Sequence, residues 1–146
     1  LKEALFLIGN ALADLLTHRV VAVLLGGATG TYLRYVLGKW IGRRSWAQGF
    51  PFGTLIINVS GSFILGAAAT LLLDCLPPGY ENWYLLVGTG FCGGYTTFST
   101  FELETLNLIR DGSWRLALVN VVASLLLGFL GVVLGVGLVS AVLPGR

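Results

Sequence analysis

The residues best suited to chemistry sit in apolar surroundings. Residues 88–101 read Gly-Thr-Gly-Phe-Cys-Gly-Gly-Tyr-Thr-Thr-Phe-Ser-Thr-Phe, which places four glycines, four threonines and a serine in one short run. Glycine is a poor helix former, and Thr and Ser hydroxyls offer the backbone alternative hydrogen bonds. The run therefore predicts a helix that breaks near 93–97. Peptide groups freed at such a break suit ions: carbonyls fit a hard alkali cation, and N–H groups fit an anion. Phe98 and Phe101, three apart, project near one face just after the break, and aromatic rings have electropositive edges. Ser99 and Thr100 add hydroxyls, and Glu104 adds a carboxylate that would repel an anion if ionised.

Other apolar stretches carry further polar groups. Gly26, Gly30, Arg34 and Gly38 recur every four residues and form one helical stripe. Arg34 lies about 11 Å from the nearer end of its stretch at 1.5 Å per residue, so it either marks a functional site or reaches the interface along its own length. Asn58, Ser62, Gly66 and Ala69 share a face, where the Asn58 amide is either a donor to a ligand or a tie between helices. Asn120, Ser124, Gly128, Gly131 and Gly135 line another face, polar at its start and small along the rest.

The elements that must position these groups follow from hydropathy. The chain has 146 residues, a one-domain length, and only 11% are charged. Soluble domains are about 25% charged. Mean hydropathy is +0.84, more apolar surface than a single water-soluble core hides. The 21 glycines suit close helix packing in lipid. A net charge of +2 gives no ground for a nucleic-acid partner. Four stretches match the roughly 20 apolar residues that a membrane span needs, at about residues 20–41, 53–73, 84–108 and 116–142. Trp40, Trp46, Trp83 and Trp114 fall at their boundaries, as an interfacial aromatic belt requires.

Residues 1–18 differ. Leu1, Leu5, Ile8, Leu12 and Leu15 make one helical face, with Glu3, Asn10, Asp14 and Thr17 on another, which predicts an amphipathic interfacial helix before a transmembrane domain at 19–146. A signal peptide fits less well, because Glu3, Asn10 and Asp14 interrupt its apolar region. Lys/Arg placement is nearly balanced. Lys39, Arg43, Arg44, Arg110 and Arg115 lie on one side, against Lys2, Arg19 and Arg146 on the other. So weak a bias allows insertion both ways, and hence an antiparallel pair of identical subunits.

Several motifs carry nothing. Cys75 and Cys92 have no neighbouring Cys or His and read as apolar filler. His18 reads as an interfacial side chain. Gly88-x-Gly90-x-x-Gly93 matches a dinucleotide fingerprint without the strand that should precede it. Asn58-Val59-Ser60 matches a glycosylation acceptor inside a span. No nucleophile–base set points to an enzyme.

Three blocks together resemble the Fluc/CrcB fluoride channels over about residues 22–140. They are Gly26-Gly-Ala-Thr-Gly30 with Arg34-Tyr35, Pro51-Phe-Gly-Thr-Leu-Ile-Ile-Asn58-Val-Ser-Gly61, and Gly90-Phe-Cys-Gly-Gly-Tyr-Thr-Thr-Phe-Ser-Thr-Phe101. The resemblance implies an all-α membrane protein with four transmembrane helices per subunit, the third broken mid-membrane, assembled as an antiparallel dual-topology homodimer in the bacterial cytoplasmic (inner) membrane. It implies a channel that passively exports fluoride. Its pore would be formed by Asn58, Phe98, Phe101, Ser99, Thr100, Glu104, Ser124, Asn120 and Arg34. It also implies a structural Na+ on the dimer axis, held by the backbone carbonyls of Gly93 and Thr96. The alternative is a small proton-coupled, dual-topology cation or drug exporter. Such an exporter would be expected to carry a carboxylate in its first span, where this chain has Arg34.

Overall fold

The computed structural model describes the backbone of residues 2–77 and 79–143, with side chains from His18 onward. The amphipathic pattern read for residues 1–17, and Arg146, lie outside the described side chains. Every regular element among the described residues is helical.

Helix α1 runs without interruption over Lys2–Gly42, so residues 18 and 19 mark no backbone boundary. At 1.5 Å per residue it is about 60 Å long, twice the hydrocarbon thickness of a bilayer. A short 3₁₀ turn, Ser45–Ala47, leads to α2, Phe52–Ala69, which continues as a π-helix over Thr70–Cys75. Pro51 stands just before the first helical residue, and its carbonyl accepts from Leu55 N at 3.2 Å. The π-turn stops at Leu76, whose ψ of 156° is extended, as sterics require of a residue preceding proline.

Three helices are long and apolar enough to cross a membrane: His18–Gly42, Phe52–Cys75 and Trp114–Val142 (the last is α6). Their ends lie within two residues of the expected first, second and fourth spans. The chain is thus a multi-pass membrane protein. Its outward side chains agree: Leu125, Leu126 and Phe129 of α6 are each at least 66% exposed, a surface that water would not tolerate.

The stretch expected as a third span is not one continuous helix. It consists of α3 (Glu81–Tyr84), a π-helix (Leu85–Cys92), α4 (Gly93–Tyr95) and α5 (Phe98–Arg110). After α5 the chain reverses sharply. Ser113 N donates to Leu108 O at 2.8 Å and Gly112 N to Ile109 O at 3.0 Å. This Schellman closure needs a left-handed residue, supplied by Gly112 at φ +75°.

Glycines let the helices touch backbone to backbone. A Cβ on Gly26 would strike the Leu86 carbonyl, and one on Gly30 the Phe91 carbonyl, so the α1 stripe seats against residues 86–95. On the other seam, Gly131 and Gly135 of α6 meet the backbone of Val59 and Phe63 on α2. The small half of the α6 face therefore packs on α2.

The exposed ends carry stacked cations. The Arg44 guanidinium lies 4.3 Å from the Trp40 ring centroid, and that of Arg115 5.5 Å from Trp114. Trp40, Trp46, Trp83 and Trp114 are all more than half exposed at helix ends or in turns.

This packing makes a contrast. Gly135→Leu should push α6 off α2 and destabilise the fold by about 1–3 kcal/mol, the usual cost of overpacking. Gly137→Leu should be tolerated, because nothing lies near a Cβ there. Thermal unfolding in detergent, followed by size exclusion, separates the two. Equal behaviour would refute the seam.

Candidate functional site

The backbone leaves helical geometry at Thr96 (φ −79°, ψ 161°) and Thr97 (φ −150°, ψ 125°). The sequence favours this locally. Gly93 and Gly94 weaken the helix on one side, and Thr97 caps the next one, its hydroxyl accepting from Thr100 N at 3.2 Å. The Thr97 hydroxyl also donates to Thr100 Oγ1 at 3.0 Å.

An extended dipeptide forfeits helical hydrogen bonds, and side chains from two other helices replace them. Asn58 of α2 donates from Nδ2 to Thr97 O at 2.9 Å and accepts from Thr97 N at Oδ1 at 2.8 Å. One amide side chain thus satisfies both peptide groups of one residue. Arg34 of α1 donates from Nη1 to Thr96 O at 2.9 Å. Upstream, Thr96 N and Thr96 Oγ1 both donate to Cys92 O, at 2.9 and 2.8 Å. Thr31 of α1 reaches Gly94 O at 3.4 Å. Behind the break, the buried Tyr95 hydroxyl meets Ser60 Oγ at 3.0 Å.

Two open cavities flank the dipeptide. One, of about 330 Å³, is lined by Asn58, Ser62, Gly93, Thr96 and Phe98. The other, of about 540 Å³, is lined by Arg34, Tyr35, Thr97, Thr100 and Glu104. A third, of about 390 Å³, shares Phe50, Pro51 and Glu104 with the second and extends to Asn107, Asp111 and Ser113. Glu104 thus stands between an inner cavity and an outer one. Its Oε2 is buried with no hydrogen-bond partner among the described residues.

The structure therefore brings Arg34, Asn58, Thr96 and Thr97 into direct contact, and gathers Thr100 and Glu104 around the same cavity as Arg34. Phe98 is 70% exposed, with its ring centroid 5.8 Å from that of half-buried Phe101. Ser99 is exposed beside them. Asn120 is elsewhere: it is 1% exposed and donates to Thr105 Oγ1 at 2.8 Å. Ser124 is half-buried one turn further along α6.

The carbonyls of Gly93 and Thr96 can be tested as cation ligands. Thr97 N, which a continuous helix would give to Gly93 O, turns to Asn58 instead, so Gly93 O is relieved of that donor. Neutral carbonyl oxygens suit a hard cation. Thr96 O already takes the Arg34 guanidinium and keeps one lone pair. The donor chemistry fits, with Gly93 the freer of the two.

Sequence reasoning did not single out Thr31, Thr97 or Thr105 as site residues. Thr97 carried a signal, since a Thr three residues before Thr100 after two glycines is a helix-capping pattern. Thr31 lay one turn before Arg34 on α1.

The bidentate contact predicts a local effect. Asn58→Leu leaves the Thr97 N–H and C=O without their partner, at about 1–3 kcal/mol for each buried group. Hydrogen exchange at residues 96–98 should accelerate while α2 and α6 stay protected. Unchanged exchange would refute the contact.

Comparison with known proteins gives the family. The family described as CrcB-like protein, Camphor Resistance (CrcB), matches residues 21–136, a span that contains Arg34, Asn58, the break, Asn120 and Ser124. A protein of Solibacter usitatus (strain Ellin6076) named fluoride-specific ion channel FluC is 45% identical over 117 residues, covering 80% of this chain and 94% of the relative. One of the same name from Roseiflexus sp. (strain RS-1) is 44% identical over 125 residues, covering 86% and 98%. Another, from Methylobacterium radiotolerans, is 47% identical over 116 residues, covering 79% and 80%. On these matches, the chain belongs to the CrcB-like protein family.

Proposed function

We propose that this chain forms a fluoride-specific ion channel that passively exports fluoride. The observation that carries the reading is the extended dipeptide at Thr96 and Thr97, held by Arg34 and Asn58, with cavities on both sides and the rings of Phe98 and Phe101 beside it. The relatives, which are named fluoride-specific ion channels, point the same way.

Fluoride is small and strongly hydrated, so a pathway must replace its water with donors. Ser99 and Thr100 supply hydroxyls, Asn58 keeps a second amide N–H, and Ser124 adds a hydroxyl from α6. Arg34 lends positive potential where an anion is otherwise costly. The edges of Phe98 and Phe101 attract an anion weakly enough to release it, as conduction requires. A path narrow enough to fit fluoride would exclude chloride by size. Glu104, at the junction of two cavities, must be protonated or otherwise offset for an anion to pass.

In this reading residues 81–110 form a fourth crossing, broken mid-membrane at Thr96 and Thr97. The near balance of five basic residues against three supports insertion in both orientations, and an antiparallel homodimer would complete the open cavities. A sodium ion would be held by the carbonyls of Gly93 and Thr96 and would supply fixed positive charge. In this reading the channel works in the bacterial cytoplasmic (inner) membrane.

Vesicles containing the purified protein should release fluoride but not chloride when a potassium ionophore balances charge. Phe98→Ile should lower fluoride release by about an order of magnitude, because an aliphatic side chain lacks the ring's electropositive edge. Equal release of both anions, or full release from the variant, would refute the reading.

A further inference from the structure

Helix α5 starts from an extended dipeptide, so its first turn has no regular helix upstream to fix its rotation. Two side-chain anchors fix it instead. One is at Thr97, held by Asn58 at 2.8 and 2.9 Å. The other is at Thr105, whose hydroxyl accepts from Asn120 Nδ2 at 2.8 Å and donates to Phe101 O at 2.7 Å. Both rings, Phe98 and Phe101, lie between these anchors.

The second anchor is a short relay from α6 to the backbone of Phe101. A threonine hydroxyl has one proton to give and lone pairs to receive. Here it works in both directions, and hydrogen bonds in series polarise one another. A hydroxyl bonded back to the carbonyl four residues earlier also tends to bend its helix. Asn120 is therefore tied, through the Thr105 hydroxyl, to the backbone of Phe101 on α5. Asn120 itself is 1% exposed, which leaves little of it for a passing ion.

We propose that Asn120 is a positioning residue: through Thr105 it sets the rotation of α5 and hence the attitude of the Phe101 ring, without itself meeting the permeating anion. The resemblance placed Asn120 among the pore donors, and its burial and bonding favour this indirect role. The proposal rests on the pathway proposed above, because the ring matters only if ions pass it.

The test places 4-fluorophenylalanine at position 101 and reads its fluorine resonance, with fluoride efflux measured on the same set of proteins. The set is the parent, Asn120→Leu, Thr105→Val, their double variant, and Thr105→Ser. Asn120→Leu and Thr105→Val should each move the resonance and lower efflux to a similar degree. The double variant should be no worse than either, and Thr105→Ser, which keeps the hydroxyl, should match the parent. Thr105→Val carries the test alone if Asn120→Leu fails to fold. The proposal is overturned if Asn120→Leu loses efflux while Thr105→Val keeps both its efflux and its resonance, or if the two losses multiply. A parent that releases no fluoride, yet shows the expected resonance shifts, would refute the pathway and leave the relay standing.

Discussion

Peptide groups withdrawn from a helix must find other partners, because an unpaired backbone donor or acceptor is costly. In this protein that constraint falls on Thr96 and Thr97, and most of the surrounding architecture answers it. The Asn58 side chain takes both peptide groups of Thr97, donating from Nδ2 to its carbonyl and accepting its N–H at Oδ1. An aspartate would match the N–H and not the carbonyl; a leucine would match neither. Arg34 closes the remaining carbonyl at Thr96 from the opposite helix. The break is thus a stitched element with defined contacts on both sides.

The glycine seams serve the same end. Arg34 and Asn58 have limited reach, so α1 and α2 must approach residues 86–97 closely. Gly26 and Gly30 allow this on α1, where a methyl group would strike the Leu86 and Phe91 carbonyls. On α2, Gly61 sits against the Thr96 methyl group. Small residues four apart and polar residues on the same stripes are two parts of one device: the first set the distance, and the second use it.

How far this was legible in the sequence follows from the range of each interaction. Spans are local properties, so long apolar runs gave the crossings at His18–Gly42, Phe52–Cys75 and Trp114–Val142 to within two residues. The weakness of residues 88–101 as helix is also local, written in Gly93, Gly94 and the threonines. Partners are not local. Asn58 and Thr97 are far apart in the chain, and periodicity names the face of a helix but not what it meets. Asn120 and Thr105 come together only because the Gly112 turn folds α6 back along α5. Nor does periodicity reveal the π-turns at Leu85–Cys92, which shift every later residue relative to a regular helix. Glu104 was visible as a carboxylate near the pathway, but its place between two cavities depends on where the Phe50–Pro51 loop lies.

The claim on which the account depends is that the Asn58 side chain holds Thr97 out of the helix in the membrane itself. Solid-state NMR of the protein in lipid bilayers, with Asn58 labelled at Nδ2 and Thr97 at its carbonyl carbon, measures that contact. The account predicts a strong through-space coupling between the two, with extended backbone shifts at Thr97. Absence of the coupling together with helical shifts at Thr97 would contradict it.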